Sequence, residues 1–419
     1  MISRRSALRE EVVVALRLMA AISFPSGVSA FSARGSIDRD GAVGVLVVGR
    51  RVSAGAESAM RAKSPASPEM LGEIRTSILS RIITGVLMAG LLVGCSGGST
   101  YAHGRTPGKN NNYFESTRMI DLQNGDFPSF LTFGAHDSLW FTENGGNLIA
   151  RVDPAGTVTQ YTIQADNNND PQDIISVPGG SIWFTGLAEI GKISPDGTLK
   201  VWHEISIGSA VGLPDALAVG RDGQVWYTDD GGHICHISST DNFACYAIHP
   251  STKDIWMRGI TMGSDGALWF TEDNLTSIAD TQNAIGRLTT AGKYSQWMLP
   301  PDSGPTRIAA GPDGALWFTE RGGQRIGRIT TSGLITQFSL PRGVYPFDIV
   351  SGPDRALWFT TDTRVGRITT AGRITLWPIP GAQQFGGIAV APDGSLWLAD
   401  GVASALRRFV PPLSAQRRR

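Results

Sequence analysis

Charge is sparse and balanced: charged residues make up 18% of the 419, and 37 basic side chains face 37 acidic ones. No field of one sign is left to hold nucleic acid or an anionic membrane surface, so neither is an expected partner. Cysteine is rarer still, three residues in all, which excludes a disulfide-dense scaffold. Helix signals are missing beyond residue 113. No window there carries apolar residues at i, i+3, i+4 and i+7, and glycine or proline interrupts the chain every ten residues or so. What is plentiful is glycine (51) and proline (23), beside an apolar share of 41%. That balance suits a turn-rich, all-β molecule with a real core.

A length of 419 exceeds one ordinary domain, but the chain repeats itself. Leu-Trp-Phe-Thr or a close variant recurs with its tryptophan at Trp140, Trp183, Trp226, Trp269, Trp317, Trp358 and Trp397, at intervals of 43, 43, 43, 48, 41 and 39 residues. The period matches four-stranded propeller blades of ~40–45 residues. Seven tryptophans predict a seven-bladed β-propeller over residues 113–410. In the cleanest unit four short strands are expected at residues 307–310, 315–319, 325–330 and 334–340. Gly311-Pro312-Asp313-Gly314, Arg321-Gly322-Gly323-Gln324 and Thr331-Ser332-Gly333 turn the chain between them. The last blade is one strand short, and residues 116–122 have the composition to supply it, closing the ring by pairing its two ends.

The first 112 residues stand apart. Residues 1–69 read as an over-extended start or leader without structure of its own. Residues 70–95 run basic, apolar, small: Arg75 and Arg81, the twelve apolar residues 82–93, then Gly94 and Cys95. A run that short is a signal-peptide core rather than a span. Leu92-Val93-Gly94-Cys95 resembles the lipobox of bacterial lipoproteins, which makes Cys95 the lipidated residue and places the protein in the bacterial cell envelope. Residues 96–112, rich in Gly, Ser and Asn, read as a tether, and 411–419 as a basic, disordered tail. Membrane contact is then expected only through the lipid, and the protein as a monomer.

Cys235 and Cys245 stand almost symmetrically about a turn. Directly opposed cysteines on adjacent strands often have poor disulfide geometry, so the expectation leans towards free thiols. His233 and Cys235 face away from His236, which argues against a transition-metal site there.

In a propeller the loop entering the first strand of each blade opens on the channel, where ligands usually bind. The pairs there are Ser129-Phe130, Gln172-Asp173, Asp215-Ala216, Arg258-Gly259, Thr306-Arg307, Phe347-Asp348 and Gly386-Gly387. Phe130, Arg258, Arg307 and Phe347 are the candidate ligand contacts, and Asp173, Asp215 and Asp348 the candidate bases. The second strand ends in Glu143, Asp229, Glu272, Glu320 or Asp400 in five blades. Such a ring has the oxygen chemistry that Mg²⁺ or Ca²⁺ takes, with Glu272, Glu320 and Asp400 as candidate ligands. A base at a fixed third-strand position (Arg151, Lys192, His236, Arg287, Arg328, Arg367, Arg408) favours the alternative, that these acids are consumed in ion pairs.

Units such as Gly311-Pro312-Asp313-Gly314-Ala315-Leu316-Trp317-Phe318-Thr319-Glu320 and Ile326-Gly327-Arg328-Ile329-Thr330 resemble the repeats of the virginiamycin B (streptogramin B) lyase family. The resemblance implies a Mg²⁺-assisted C–O elimination that opens a cyclic depsipeptide antibiotic, with a histidine as the base. In that family the histidines follow a proline in the entering loops of the last two blades. The matching positions here are Phe347 and Gly386, and the last blade's glutamate is Asp400. Three readings follow: a cell-envelope propeller that binds a ligand or partner at the channel face without chemistry, a lyase or hydrolase with its base moved to an aspartate or His249, and a protein-interaction module that reads peptides or glycans outside the membrane.

Overall fold

The computed structural model describes residues 31–37, 43–49, 119–122 and 127–412, except positions 145, 164–169, 188, 204–205, 208–209, 239, 250–254 and 275–282. The chain divides into two compact units, Met1–Gly108 and Lys109–Arg419. In the first, Phe31–Ile37 pairs antiparallel with Val43–Gly49 as a hairpin. The rest of the expected leader, the signal segment with Cys95, the tether and residues 413–419 lie outside the described residues.

The second unit is a seven-bladed propeller of antiparallel four-stranded blades. The inner strands are Pro128–Phe133, Ile174–Ser176, Pro214–Val219, Ile260–Met262, Pro305–Ala310, Pro346–Ser351 and Phe385–Val390, blades one to seven in order. Blade five continues through Leu316–Glu320, Arg325–Ile329 and Ile335–Ser339, within a residue or two of the strands expected from sequence. Blade four carries one addition, Ile255–Trp256, on the far end of its second strand. Blade seven takes its outer strand from the start of the propeller: Met119–Asp121 pairs antiparallel with Ala405–Phe409. Leu131, Leu139 and Phe141 of blade one pack with Ala389, Ala399 and Leu406 of blade seven.

The repeat's residues explain the blade. Phe318 on the second strand of blade five lies opposite Gly327 on the third, and a Cβ on that glycine would overlap the ring. Gly191, Gly286 and Gly366 make the same room for Phe184, Phe270 and Phe359. In blade three the glycine's place is taken by Cys235, opposite Tyr227 on one side and Cys245 on the other. The two cysteines are disulfide-bonded, contrary to the sequence expectation, because the register sets them directly across from each other with Cα atoms 4.0 Å apart.

The recurrent basic position of the third strand finds a partner the sequence reading did not foresee. Arg287, Arg328 and Arg367 bond Asp265, Asp313 and Asp354 at 2.7, 2.8 and 2.6 Å. Each of these aspartates sits in the turn before the second strand and also accepts the indole N–H of Trp269, Trp317 or Trp358 at 3.0–3.1 Å. The arginines lie over those same indoles. The acid at the end of the second strand is out of reach because the register sets Arg328 beside Trp317 and Glu320 beside Arg325.

Candidate functional site

In blades one, three, five, six and seven the inner strand slips register at its start, between Pro128 and Leu131, Pro214 and Leu217, Pro305 and Ile308, Pro346 and Ile349, and Phe385 and Ile388. The two residues inside each bulge are the channel pairs identified in the sequence. A bulge takes backbone groups out of the ladder, and they need other partners. The threonine of Trp-Phe-Thr supplies them. Its hydroxyl accepts the N–H of Phe130, Asp173, Ala216, Arg307 or Asp348 at 3.0–3.1 Å. In five blades this hydroxyl donates to the next blade: Thr185 to the Asp215 carbonyl, Thr228 to Met257, Thr271 to Thr306, Thr319 to Phe347 and Thr360 to Gly386, at 2.6–3.1 Å. In blades two, three, five and six one threonine thus both fixes a channel residue and clasps the neighbouring blade.

Blade seven has Ala399 in place of that threonine. Its channel pair is Gly386-Gly387, and a Cβ on Gly386 would stand 2.5 Å from the Ser129 carbonyl oxygen of blade one. Close backbone approach replaces the hydroxyl clasp at this seam. With no side chain between them, Phe130 of blade one and Phe347 of blade six stack across blade seven, ring centroids 5.8 Å apart.

The pairs converge on a cavity of about 390 Å³ lined by all seven inner strands or the loops entering them. Its wall is mostly aliphatic, with Phe130, Phe133 and Thr132 from blade one, and its charged girdle is Asp173, Arg307 and Asp348. Arg307 reaches Asp173 at 3.2 Å and lays its guanidinium on the Phe130 ring at 4.0 Å. Asp173 also accepts the N–H of Ile174 and Leu217, each at 2.9 Å. Asp348 accepts the N–H of Ile349 at 2.8 Å and of Ile388 in the next blade at 2.9 Å. Loss of solvent pushes the Asp348 carboxyl up to about 6, against the field of Arg307 and the backbone donors. Asp173 is raised by burial too, opposed first by Arg307.

Of the other candidates, Arg258 turns aside to Asp273 at 3.5 Å and stacks on Trp256 at 4.5 Å. Asp215 contributes its carbonyl to the Thr185 clasp. Arg321, which the sequence reading passed over, lies 5.8 Å from the Phe347 ring and 5.9 Å from Tyr345, and pairs with Asp362. Its only signal was its place just after Glu320, in the loop leaving the second strand.

The second-strand acids do not meet. Glu272 takes the Tyr294 hydroxyl at 2.8 Å and His249 at 3.2 Å. Glu320 takes Arg325 at 3.0 Å and Gln337 at 2.7 Å. Asp400 takes Arg407 at 2.7 Å and the N–H groups of Gln383 and Gln384. All three carboxylates are buried, each engaged largely by its own blade. They therefore do not fit a shared Mg²⁺ ion, and among the described residues no three His, Cys, Asp or Glu side chains come together to hold one. His249 lies with Glu272 and Tyr294, apart from the residues lining the cavity. No histidine lines that cavity among the described residues.

Residues 200–412 match the virginiamycin B lyase family. A virginiamycin B lyase from Nocardia farcinica is 30% identical over 160 residues, 38% of this chain and 52% of that protein, so the chain spans about half the length of this relative. A solved streptogramin B lyase superposes with a TM-score of 0.64 at 29% identity, covering 72% of this chain and 99% of its own. So does a catalytically inactive histidine-to-alanine variant of the Staphylococcus aureus virginiamycin B lyase, solved with quinupristin: TM-score 0.64, 30% identity, 71% and 99% covered.

Proposed function

This chain belongs to the virginiamycin B lyase family, and from that premise we propose that it is a cell-envelope propeller that holds a small ligand at its channel mouth without breaking it. The observation that carries this reading is the Phe130–Phe347 stack. At one position where the family resemblance expects a histidine base, this chain stacks an aromatic ring on a neighbour. At the other, Gly386 has no room for a side chain. The site keeps part of what a binding pocket needs, an open cavity with aliphatic side chains in its wall and a few fixed charges. A cyclic depsipeptide of the streptogramin B kind is the ligand class we propose, since quinupristin accompanies a solved relative. The signal segment and Cys95 would deliver the propeller to the envelope on a lipid, where the Cys235–Cys245 disulfide suits an oxidising compartment. Calorimetric titration of the purified protein with quinupristin tests the reading. Binding that is lost in the Phe130→Ala/Phe347→Ala double variant supports it; no binding, or binding indifferent to both rings, overturns it.

A second reading, a C–O lyase with a relocated base, draws on Asp348. A carboxyl raised to about 6 is half-way to a useful base at neutral pH. In such an elimination Asp348 would take the proton from the carbon next to the one that bears the ester oxygen. The electron pair of that C–H bond would form a C=C bond, the alkyl C–O bond would break, and the ester's acyl half would leave as a carboxylate. Both oxygens of Asp348 already accept backbone N–H groups, which lowers their basicity and ranks this reading second.

A further inference from the structure

The charges on the cavity wall do not balance. Asp173, Arg307 and Asp348 are its charged lining residues, two acids against one base. Arg307 spends its reach on Asp173, at 3.2 Å, and rests its flat face on Phe130. Asp348 is held by the N–H groups of Ile349 and Ile388, and among the described residues no side chain donates a hydrogen bond to it. A carboxylate fixed by two main-chain donors beside an apolar cavity is already oriented, and a cation brought to it relieves the cost of its burial.

We propose that the channel recognises a protonated amine, its ammonium group on the Asp348 carboxylate and its apolar substituent along the aliphatic wall. This rests on the reading of the channel as a ligand site and names the group that the site selects. A divalent ion suits the place less, because it asks for six or more oxygen ligands where two carboxylates and a guanidinium are gathered. The cavity wall includes Ile174, Leu217, Ile260, Ile308, Ile349 and Ile388, which match an alkyl chain or a ring; apart from the charged residues, Thr132 is its one polar side chain among the described residues. The groups that tune Asp348 are Arg307, whose charge favours its ionised form, and Asp173, whose charge opposes it; Asp215 acts on Asp173 in turn.

The test titrates the purified protein by calorimetry with n-hexylammonium, n-hexanol and quinupristin. The proposal expects hexylammonium to bind at least tenfold more tightly than hexanol near pH 7.5. It expects this binding to weaken by about tenfold near pH 5, where about a tenth of Asp348 remains ionised. Asp348→Asn, with its fold checked by circular dichroism, is expected to abolish the difference between amine and alcohol. Equal affinity for amine and alcohol, or binding of the amine that ignores pH, overturns the proposal without needing the variant. If quinupristin binds and hexylammonium does not, the ammonium site fails and the channel reading stands. If nothing binds, both fail.

Discussion

Arg307 on the inner strand of blade five crosses the channel to within 3.2 Å of Asp173, just ahead of the inner strand of blade two. The pair ties together blades that share no interface, and both partners are almost withdrawn from solvent. Removing one member of such a pair leaves an uncompensated buried charge. Arg307→Ala is expected to cost about 3–5 kcal/mol of unfolding free energy in urea denaturation. A loss below about 1 kcal/mol, the worth of an exposed pair, would show that solvent reaches the channel freely.

Burial raises the Asp348 carboxyl, and the same arginine opposes the rise. The folded-state carboxyl is raised to about 6 from an ordinary 3.8, so the folded protein holds this proton more tightly than the unfolded chain. The resulting stability is present below the unfolded value and is lost as pH rises from about 4 through 6. Carbon-13 resonances of the aspartate carboxyls are expected to include one with a midpoint near 6 that moves upward in Arg307→Gln. A midpoint near 4 in the native protein contradicts the picture of a desolvated carboxyl.

Thr319 carries two hydrogen bonds, accepting from the Arg307 N–H of its own blade and donating to the Phe347 carbonyl of blade six. Thr319→Val keeps the shape and orphans both groups, and we expect a loss of about 1–3 kcal/mol. Thr319→Ser keeps the hydroxyl and is expected to fall near wild type. Equal losses in the two variants would mean that packing, and not the clasp, is what the threonine provides.

Much of this was legible in the sequence. The tryptophan period fixed seven blades, the missing strand of the last blade pointed to residues near 119, and the entering-loop pairs proved to be the bulge residues at the channel. Arg307, Asp173 and Asp348 were singled out as separate candidates, but sequence spacing does not say that three blades aim them at one point. The partners of Arg287, Arg328 and Arg367 were misjudged for a related reason. Aspartate in Gly-Pro-Asp-Gly reads first as a turn former, and only the register shows it beneath the tryptophan, within reach of the arginine. The cysteines were expected to face each other across one hairpin and do, but the poor geometry common to directly opposed pairs was weighed too heavily: with Cα atoms 4.0 Å apart the two are bonded.

Gly386 yields a sharper prediction about the family's chemistry. A Cβ there meets the Ser129 carbonyl, part of blade one's backbone, at 2.5 Å. Gly386→Ala is expected to cost about 1–3 kcal/mol through overpacking, and Gly386→His more. Phe347, half-buried at the mouth, is expected to accept histidine with far less loss. Thermal melts of the three variants check the order, and a stable Gly386→His protein would show that the seam yields.

Reduction bears on blade three. The Cys235–Cys245 bond closes a loop with a sequence separation of 10, and Cys235→Ala/Cys245→Ala is expected to lower stability by about 2–3 kcal/mol. The native protein is expected to weigh two hydrogens less than its reduced form, and alkylation of both thiols without reductant would contradict the bond.

The most direct test of the central claim is prolonged incubation of the purified protein with quinupristin and Mg²⁺, followed by liquid chromatography with fragmentation, because an elimination opens the ring without changing its mass. The account predicts that the cyclic antibiotic is recovered intact at enzyme concentrations where calorimetry shows it bound. A linear product that accumulates with time and is absent without the protein would contradict it and make this propeller a lyase.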